Sequence, residues 1–431
     1  MTEASNGRTV VITGLGPITA VGIGVDGLWR GLQSRESGIR RLTRFDASPF
    51  RSRIAAQVDD FDAGDYLDAR QARRLDRYNQ FALAAGRLAV EDAQLDPSSV
   101  NPERGAVQMG SALGGISEAE QQLANFLSDG VRSVDPRVAV TTFAGAASCQ
   151  IAIDLGFTGP NSTNAMSCAS GAIALGDGWR LIRDGVADVA IAGGVEAPLA
   201  PLSFGAFSII RALSKRNSEP GRACRPFDRD RDGFVMGEGA CVLVLEEEGH
   251  AVARGARIYA KLRGYGTTSD AYHMTAPRPD GKQAARAMTQ ALSSAGLSAS
   301  TIDYVNAHAS STRLNDSSET IAIRDVLGER AYQVPVSGTK PYYAHALGAS
   351  GAIEAAICCL VMTRHWIPPT LNLDEPDELC DLDYVPHSGR PGKPRAVISN
   401  SFGFGGINAS LVFTAPDSED GGASENFGVS D

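Results

Sequence analysis

Cys168 stands in the run Asn161-Ser-Thr-Asn-Ala-Met-Ser-Cys-Ala-Ser-Gly171, where a polar approach turns sharply through small residues. The stretch that follows, Gly171-Ala-Ile-Ala-Leu-Gly-Asp-Gly-Trp-Arg-Leu-Ile182, reads as a helix packed through small side chains. A thiol at a helix N-terminus meets free backbone N–H groups and the positive end of the helix dipole, and both favour thiolate. The same N–H groups can hold a developing oxyanion. A free cysteine is more often a small buried apolar residue, so Cys168 alone makes no site. Two histidines lie downstream among small residues, in Val305-Asn-Ala-His308-Ala-Ser-Ser-Thr312 and Gly338-Thr-Lys340-Pro-Tyr-Tyr-Ala-His345-Ala-Leu-Gly-Ala-Ser-Gly351. A glycine-rich Asn400-Ser-Phe402-Gly-Phe404-Gly-Gly406 follows near the C-terminus. A thiol with two distant imidazoles suggests a nucleophile served by paired N–H donors. His250, His273, His365 and His387 carry no motif and read as ordinary structural residues.

In this order the four motifs resemble those of the β-ketoacyl-[acyl carrier protein] synthases, the condensing enzymes of fatty acid and polyketide synthesis. The nearest branch is the elongating type II one, which includes polyketide ketosynthase subunits. The resemblance runs from about Val10 to Phe413. It implies an α/β chain with a duplicated five-layer α-β-α-β-α thiolase-type fold. It implies a decarboxylative Claisen condensation of an acyl thioester on Cys168 with malonyl-carrier protein, elongating a fatty acid or a polyketide or polyene chain. Carried over residue by residue, Cys168 is the acylated nucleophile, and its N–H and that of Phe404 form the oxyanion hole. His308 and His345 are the paired donors to the malonyl thioester oxygen, and Lys340 pairs with Glu354 in an electrostatic and structural role. Ser310 and Thr312 fall where hydroxyls hold the phosphopantetheine arm. Leu113, Phe207 and Phe402 line the substrate pocket, with Phe404 at the tip of a mobile gate. No cofactor is bound by the enzyme itself, since substrates ride on the carrier protein's arm.

The sequence departs from the family pattern at Ala309 and Ala344, where glycine is usual, at Ser167 and Ser310, and at Pro341-Tyr342-Tyr343. These leave open which substrate is used. Three readings compete: an active elongating synthase, a non-catalytic chain-length-factor-like partner of a sister subunit, and an initiating synthase or thiolase. A chain-length factor lacks the nucleophile, and an initiator pairs cysteine with one histidine and one asparagine; Cys168 with both histidines favours the first.

The positioning elements follow from pattern. Strands are expected from Arg8 into a glycine turn, at Ala106–Gly110, Val189–Gly193, Ala240–Leu245, Ile258–Gly264, Ile302–Ala307 and Ala396–Ser399, with helices between them. The chain also echoes itself, since Ser170-Gly-Ala-Ile173 returns as Ser350-Gly-Ala-Ile353. Two related halves follow, residues 1–255 with the nucleophile and 256–416 with both histidines, joined near Gly255. The acidic stretch 417–431 reads as a disordered tail.

At 431 residues the chain exceeds one ordinary core. Its net charge of −10 argues against nucleic acid or a membrane surface as partner. The N-terminus lacks a basic region and a long apolar core, so no signal peptide is expected. The longest apolar stretch, Ile357–Met362, is too short to span a bilayer. Seven scattered cysteines suit a reducing cytosol without structural disulfides. Asp228-Arg-Asp-Arg-Asp-Gly233 imitates a calcium loop, but Gly239 stands where the bidentate glutamate belongs, so it reads as a structural turn. No zinc spacing or phosphate loop is present, and no metal is expected. Arg70, Arg73 and Arg74 share one helix face, with Arg77 one turn on, and offer local attraction to an acidic acyl carrier protein. The dimer partner, a second copy or a chain-length-factor-like subunit, stays open.

Overall fold

The computed structural model describes residues 7–418. The first half contributes strands β1 (Val10–Thr19), β2 (Gly105–Gly110), β3 (Asn161–Asn164), β4 (Val189–Glu196) and β5 (Gly239–Glu247). The second contributes β6 (Ala260–Ser269), β7 (Tyr304–Asn306), β8 (Val336–Ser337), β9 (Ala396–Gly403) and β10 (Ile407–Thr414). Their order in the sheet is β8-β7-β9-β10-β6-β1-β5-β4-β2-β3. Each half therefore lays its strands in the order third, second, fourth, fifth, first, and the two meet where β1 pairs antiparallel with β6 through Val10–Leu262, Val11–Lys261 and Ile12–Ala260.

The helices that place the site are α1 (Ala69–Arg74), α2 (Arg77–Asp92), α3 (Ala146–Leu155), α4 (Ser170–Arg183), α5 (Lys282–Ala295), α6 (Arg313–Leu327) and α7 (Ser350–Arg364). Phe81, Ala85 and Ile151 of α2 and α3 pack with Val107, Ile191 and Val242 on the outer face of the first half's sheet. Met288, Ala291 and Ile323 of α5 and α6 do the same on Val305, Ile398 and Val412 in the second. Between the two halves of this sheet α4 and α7 share one core through Leu175, Trp179, Ile353 and Ile357. These are the five layers, helix-sheet-helix-sheet-helix, of the thiolase-type fold.

Two sequence expectations need correction here. The glycines after Val11 and Ile12 do not end the first strand, which runs on to Thr19. Instead α2 lies directly on them: a Cβ on Gly14 would sit 2.2 Å from the Ala89 carbonyl oxygen, and one on Gly16 would sit 2.0 Å from that of Ala85. Gly264 and Gly266 of β6 meet α5 in the same way, each 2.1 Å from a carbonyl, at Ala291 and Ala287. This second echo of the duplication lies in packing rather than in any readable motif. The other correction concerns length. Leu347–Arg364, mean hydropathy 1.4, is long and apolar enough to cross a membrane, yet 89% of it is buried inside the protein. A helix covered by sheets on both sides is apolar all round for that reason.

All seven cysteines are free. The buried Asp228 carboxylate is consumed by the Arg225 guanidinium and by backbone N–H groups of Asp230, Asp374 and Glu375, which makes its segment a structural turn. Of the expected tail, Asp417 pairs with Arg395, and residues 419–431 lie outside the described residues.

Candidate active site

A cavity of about 700 Å³ opens where the halves meet. Cys168, His308, His345, Ser310, Thr312, Leu113, Phe207, Phe402 and Phe404 all line it, so residues from Leu113 to Phe404 converge on one space. Lys340 and Glu354 lie behind the wall, fully buried.

Ser167 takes a left-handed φ of 53°, and the single turn Ser167–Ala169 delivers Cys168 to the N-terminus of α4. The sulfur faces the Phe404 backbone N–H and the Ser167 hydroxyl, and the Lys340 charge is felt there. The helix terminus favours the thiolate, as the sequence implies, but it does not act alone. Burial outweighs all three and pushes the thiol up to about 11, because a sulfur anion cut off from water loses more solvation than one helix end returns.

His308 follows β7 on a loop tied down from behind. Its backbone N–H and that of Ala309 donate to Glu319, each at 2.8 Å. The Lys340 ammonium donates to the His308 carbonyl and to the Glu354 carboxylate, and lies 3.4 Å from His308 Nδ1. An ammonium has only protons to offer, so Nδ1 must be the bare nitrogen and Nε2 carries the N–H. His345 is stitched to the neighbouring segment by its N–H to the Val235 carbonyl at 2.8 Å and its carbonyl to the Gly237 N–H at 2.9 Å. Its Nδ1 meets the Ser350 hydroxyl at 2.9 Å, at the start of α7. The two rings stand 5.3 Å apart, nearly perpendicular. Burial first, and then the Lys340 charge, hold both imidazoles well below 6.5. Both rings are thereby held toward the neutral form.

The departures at alanine now have a structural meaning. Ala309 has φ 46° and Ala344 has φ 60° with ψ −166°, a region nearly reserved for glycine. Tyr342 and Tyr343 are wholly buried beside Lys340, the Tyr343 hydroxyl at 2.8 Å from that of Thr339. Gly405 and Gly406 make the hairpin between β9 and β10 at φ 85° and 71°, which sends Phe404 over the cavity to stack on Phe207 at 6.1 Å. Phe402 tilts over His308 at 6.0 Å. Ser310 and Thr312 share a hydrogen bond of 2.9 Å along the wall.

The arginine row is only partly as expected. Arg70, Arg73 and Arg74 are exposed on α1. Arg77 does not continue their face, because α1 ends at Arg74, with Leu75 its extended C-cap, and Asp76 caps a separate helix, α2. Its guanidinium is bound to Glu238 at 2.8 Å and lies over the Phe81 ring at 4.4 Å.

Sequence reasoning missed Glu196 and Glu319, both buried against backbone N–H groups of the site. Glu196 carried one signal, a charge closing the otherwise apolar strand β4.

A thiol on a helix N-terminus, set against two neutral imidazoles inside a duplicated thiolase-type fold, defines the carbon–carbon condensing enzymes. The chain matches the family described as "Beta-ketoacyl synthase, N-terminal domain" over residues 7–251 and "Beta-ketoacyl synthase, C-terminal domain" over 259–374. It is 46% identical over 406 residues to 3-oxoacyl-[acyl-carrier-protein] synthase 2 of Synechocystis sp., covering 94% of this chain and 98% of that protein. It is 43% identical over 415 residues to the tetracenomycin polyketide synthase ketoacyl synthase alpha subunit of Streptomyces glaucescens, covering 95% and 97%. Among solved structures, a type II polyketide synthase acyl-carrier protein in complex with its ketosynthase bound to the hexaketide superposes with TM-score 0.89 at 36% identity, over 95% of this chain and 100% of that one. The ishigamide ketosynthase/chain length factor does so with TM-score 0.89 at 36% identity, over 95% and 99%. The chain belongs to the β-ketoacyl synthase family and is an acyltransferase of the ketosynthase class, not a cysteine-less partner subunit.

Proposed function

We propose that this ketosynthase elongates fatty acid or polyketide chains, with Cys168 as nucleophile and His308 and His345 as the decarboxylating pair. The observation that carries the reading is the pair of neutral imidazoles, one with its tautomer set by Lys340, on the same cavity as the thiol. Cys168 adds to the carbonyl of an acyl thioester, and the oxyanion sits between its own N–H and that of Phe404. The carrier's sulfur leaves with the proton that the thiol gives up, and the acyl group stays on Cys168. Malonyl thioester then enters with its carbonyl oxygen toward His308 and His345. The bond to the carboxyl group breaks, carbon dioxide departs, and the electron pair becomes an enolate held by the two N–H donors. The enolate carbon attacks the acyl carbonyl on Cys168, and the intermediate expels the cysteine thiolate to give the lengthened β-ketoacyl product. Lys340 and Glu354 fix the electrostatics behind His308, and Ser310 and Thr312 meet the phosphopantetheine arm.

The substrates arrive on an acyl carrier protein, which we place at Arg70, Arg73 and Arg74. The solved relatives include one with its acyl-carrier protein and one with a chain length factor. A second copy or such a factor completes the assembly here. The enzyme binds no cofactor of its own, works in the cytoplasm, and divides near Gly255. Incubation with acyl-carrier thioester should give an acyl adduct on Cys168 only, seen by mass spectrometry, and Cys168→Ala should abolish condensation. An adduct on another cysteine, or full turnover by the variant, overturns the assignment.

A further inference from the structure

Ser170 and Ser350 open the two copies of Ser-Gly-Ala-Ile, and their hydroxyls go to different partners. Each serine starts a long helix, α4 or α7, behind a single tight turn, Ser167–Ala169 or Leu347–Ala349. Each turn begins with a left-handed residue, Ser167 at φ 53° and Leu347 at φ 41°. In each, the serine N–H donates to the carbonyl three residues back. The two backbones therefore offer both hydroxyls the same local acceptor. Ser170 uses it, donating to the Ser167 carbonyl at 2.7 Å. Ser350 does not. Its hydroxyl is wholly buried and lies 2.9 Å from His345 Nδ1, with no other partner among the described residues. Five residues before Ser170 stands Ala165, and five before Ser350 stands His345. The imidazole accounts for the change of partner.

That contact has two directions open to it. A proton on Nδ1 would be donated to the hydroxyl, and the hydroxyl hydrogen would then be buried without an acceptor, which costs more than the bond returns. With the hydroxyl as donor both groups are satisfied, and the ring proton stays on Nε2. Lys340 imposes the same tautomer on His308 with a charge. Ser350 does so without one, and adds nothing that would draw a carboxylate into the site.

We propose that Ser350 is a positioning residue for His345. Its hydroxyl donates to Nδ1, fixes the plane and tautomer of the ring, and so keeps the Nε2 N–H as the second donor to the malonyl thioester oxygen. The inference rests on the ketosynthase reading above. Acylation of Cys168 draws on the backbone oxyanion hole instead, so the effect of Ser350 falls on decarboxylation.

The test uses the full-length enzyme. Labelling histidine with ¹⁵N shows the tautomer directly and needs no change at Ser350. The His345 resonances, assigned by their loss from His345→Ala, should place Nε2 in the protonated range and Nδ1 in the bare, hydrogen-bonded range. Ser350→Ala should slow malonyl decarboxylation by roughly three- to tenfold, the worth of one net hydrogen bond, and slow Cys168 acylation much less. In the His345→Ala background the same substitution should slow decarboxylation no further, because a hydroxyl that acts through the ring has nothing left to hold. A protonated Nδ1 in the parent, equal slowing of both half-reactions, or a full added loss in the double variant overturns the proposal. A parent enzyme that neither takes an acyl group nor decarboxylates malonyl-carrier protein would instead overturn the ketosynthase reading, while the spectrum still reports the tautomer.

Discussion

Gly171 of α4 and Gly351 of α7 each lie against the other helix's backbone, at the crossing that joins the two halves. A Cβ on Gly171 would stand 2.8 Å from the Gly348 carbonyl oxygen, and one on Gly351 would stand 2.8 Å from the Ala172 nitrogen. The repeated Ser-Gly-Ala-Ile is thus a contact between the two copies of itself. It brings the turn of Cys168 and the loop of His345 together, because each sits just ahead of its own helix. Gly351→Ala should destabilise the protein by about 1–3 kcal/mol, the usual cost of overpacking a tight contact. Urea unfolding would measure it, and an unchanged midpoint would show that the helices can part freely.

The thiol of Cys168 should react as a buried, protonated group. Burial holds it near about 11, so at neutral pH the thiolate is a small fraction that grows roughly tenfold per pH unit. Alkylation of Cys168 by iodoacetamide, followed by mass spectrometry, should rise steadily with pH and level only as pH passes about 11. A plateau reached near neutrality would mean that the helix terminus wins over desolvation after all.

His308→Ala and His345→Ala should each slow malonyl decarboxylation by on the order of 10²–10³, since each removes a donor aimed at developing charge. Acylation of Cys168 should suffer less. Both imidazoles stay neutral well below 6.5, so decarboxylation should hold as pH falls through that value and fail only when the rings take up protons. A loss centred on 6.5 would show that solvent reaches them.

Ala344 sits beside His345 in a backbone region that suits glycine. Ala344→Gly should be tolerated, its lost methyl offset by relief of strain. Ala344→Val should cost roughly 3 kcal/mol or more, because a β-branched side chain adds to both the strain and the crowding of a fully buried site. Denaturant midpoints decide it; equal behaviour of the two would mean that the loop relaxes.

Sequence by itself determined the chemistry and the duplication. The turn into Cys168, the two histidine loops, the Lys340–Glu354 pair and the gate at Phe404 are short motifs, and the strand and helix pattern around them is a local record of burial. What it could not determine depends on partners distant in the chain. Gly14 and Gly16 read as a turn because nothing nearby reveals that α2 rests on them. Arg77 read as one of an exposed row, although Glu238, far along the chain, draws it inward. The roles of Glu196 and Glu319 are invisible until the fold brings backbone N–H groups to them. The protonation of Cys168, His308 and His345 was likewise decided only by tertiary structure. A motif names a titratable group, but its charge is set by how completely the folded chain removes water from around it.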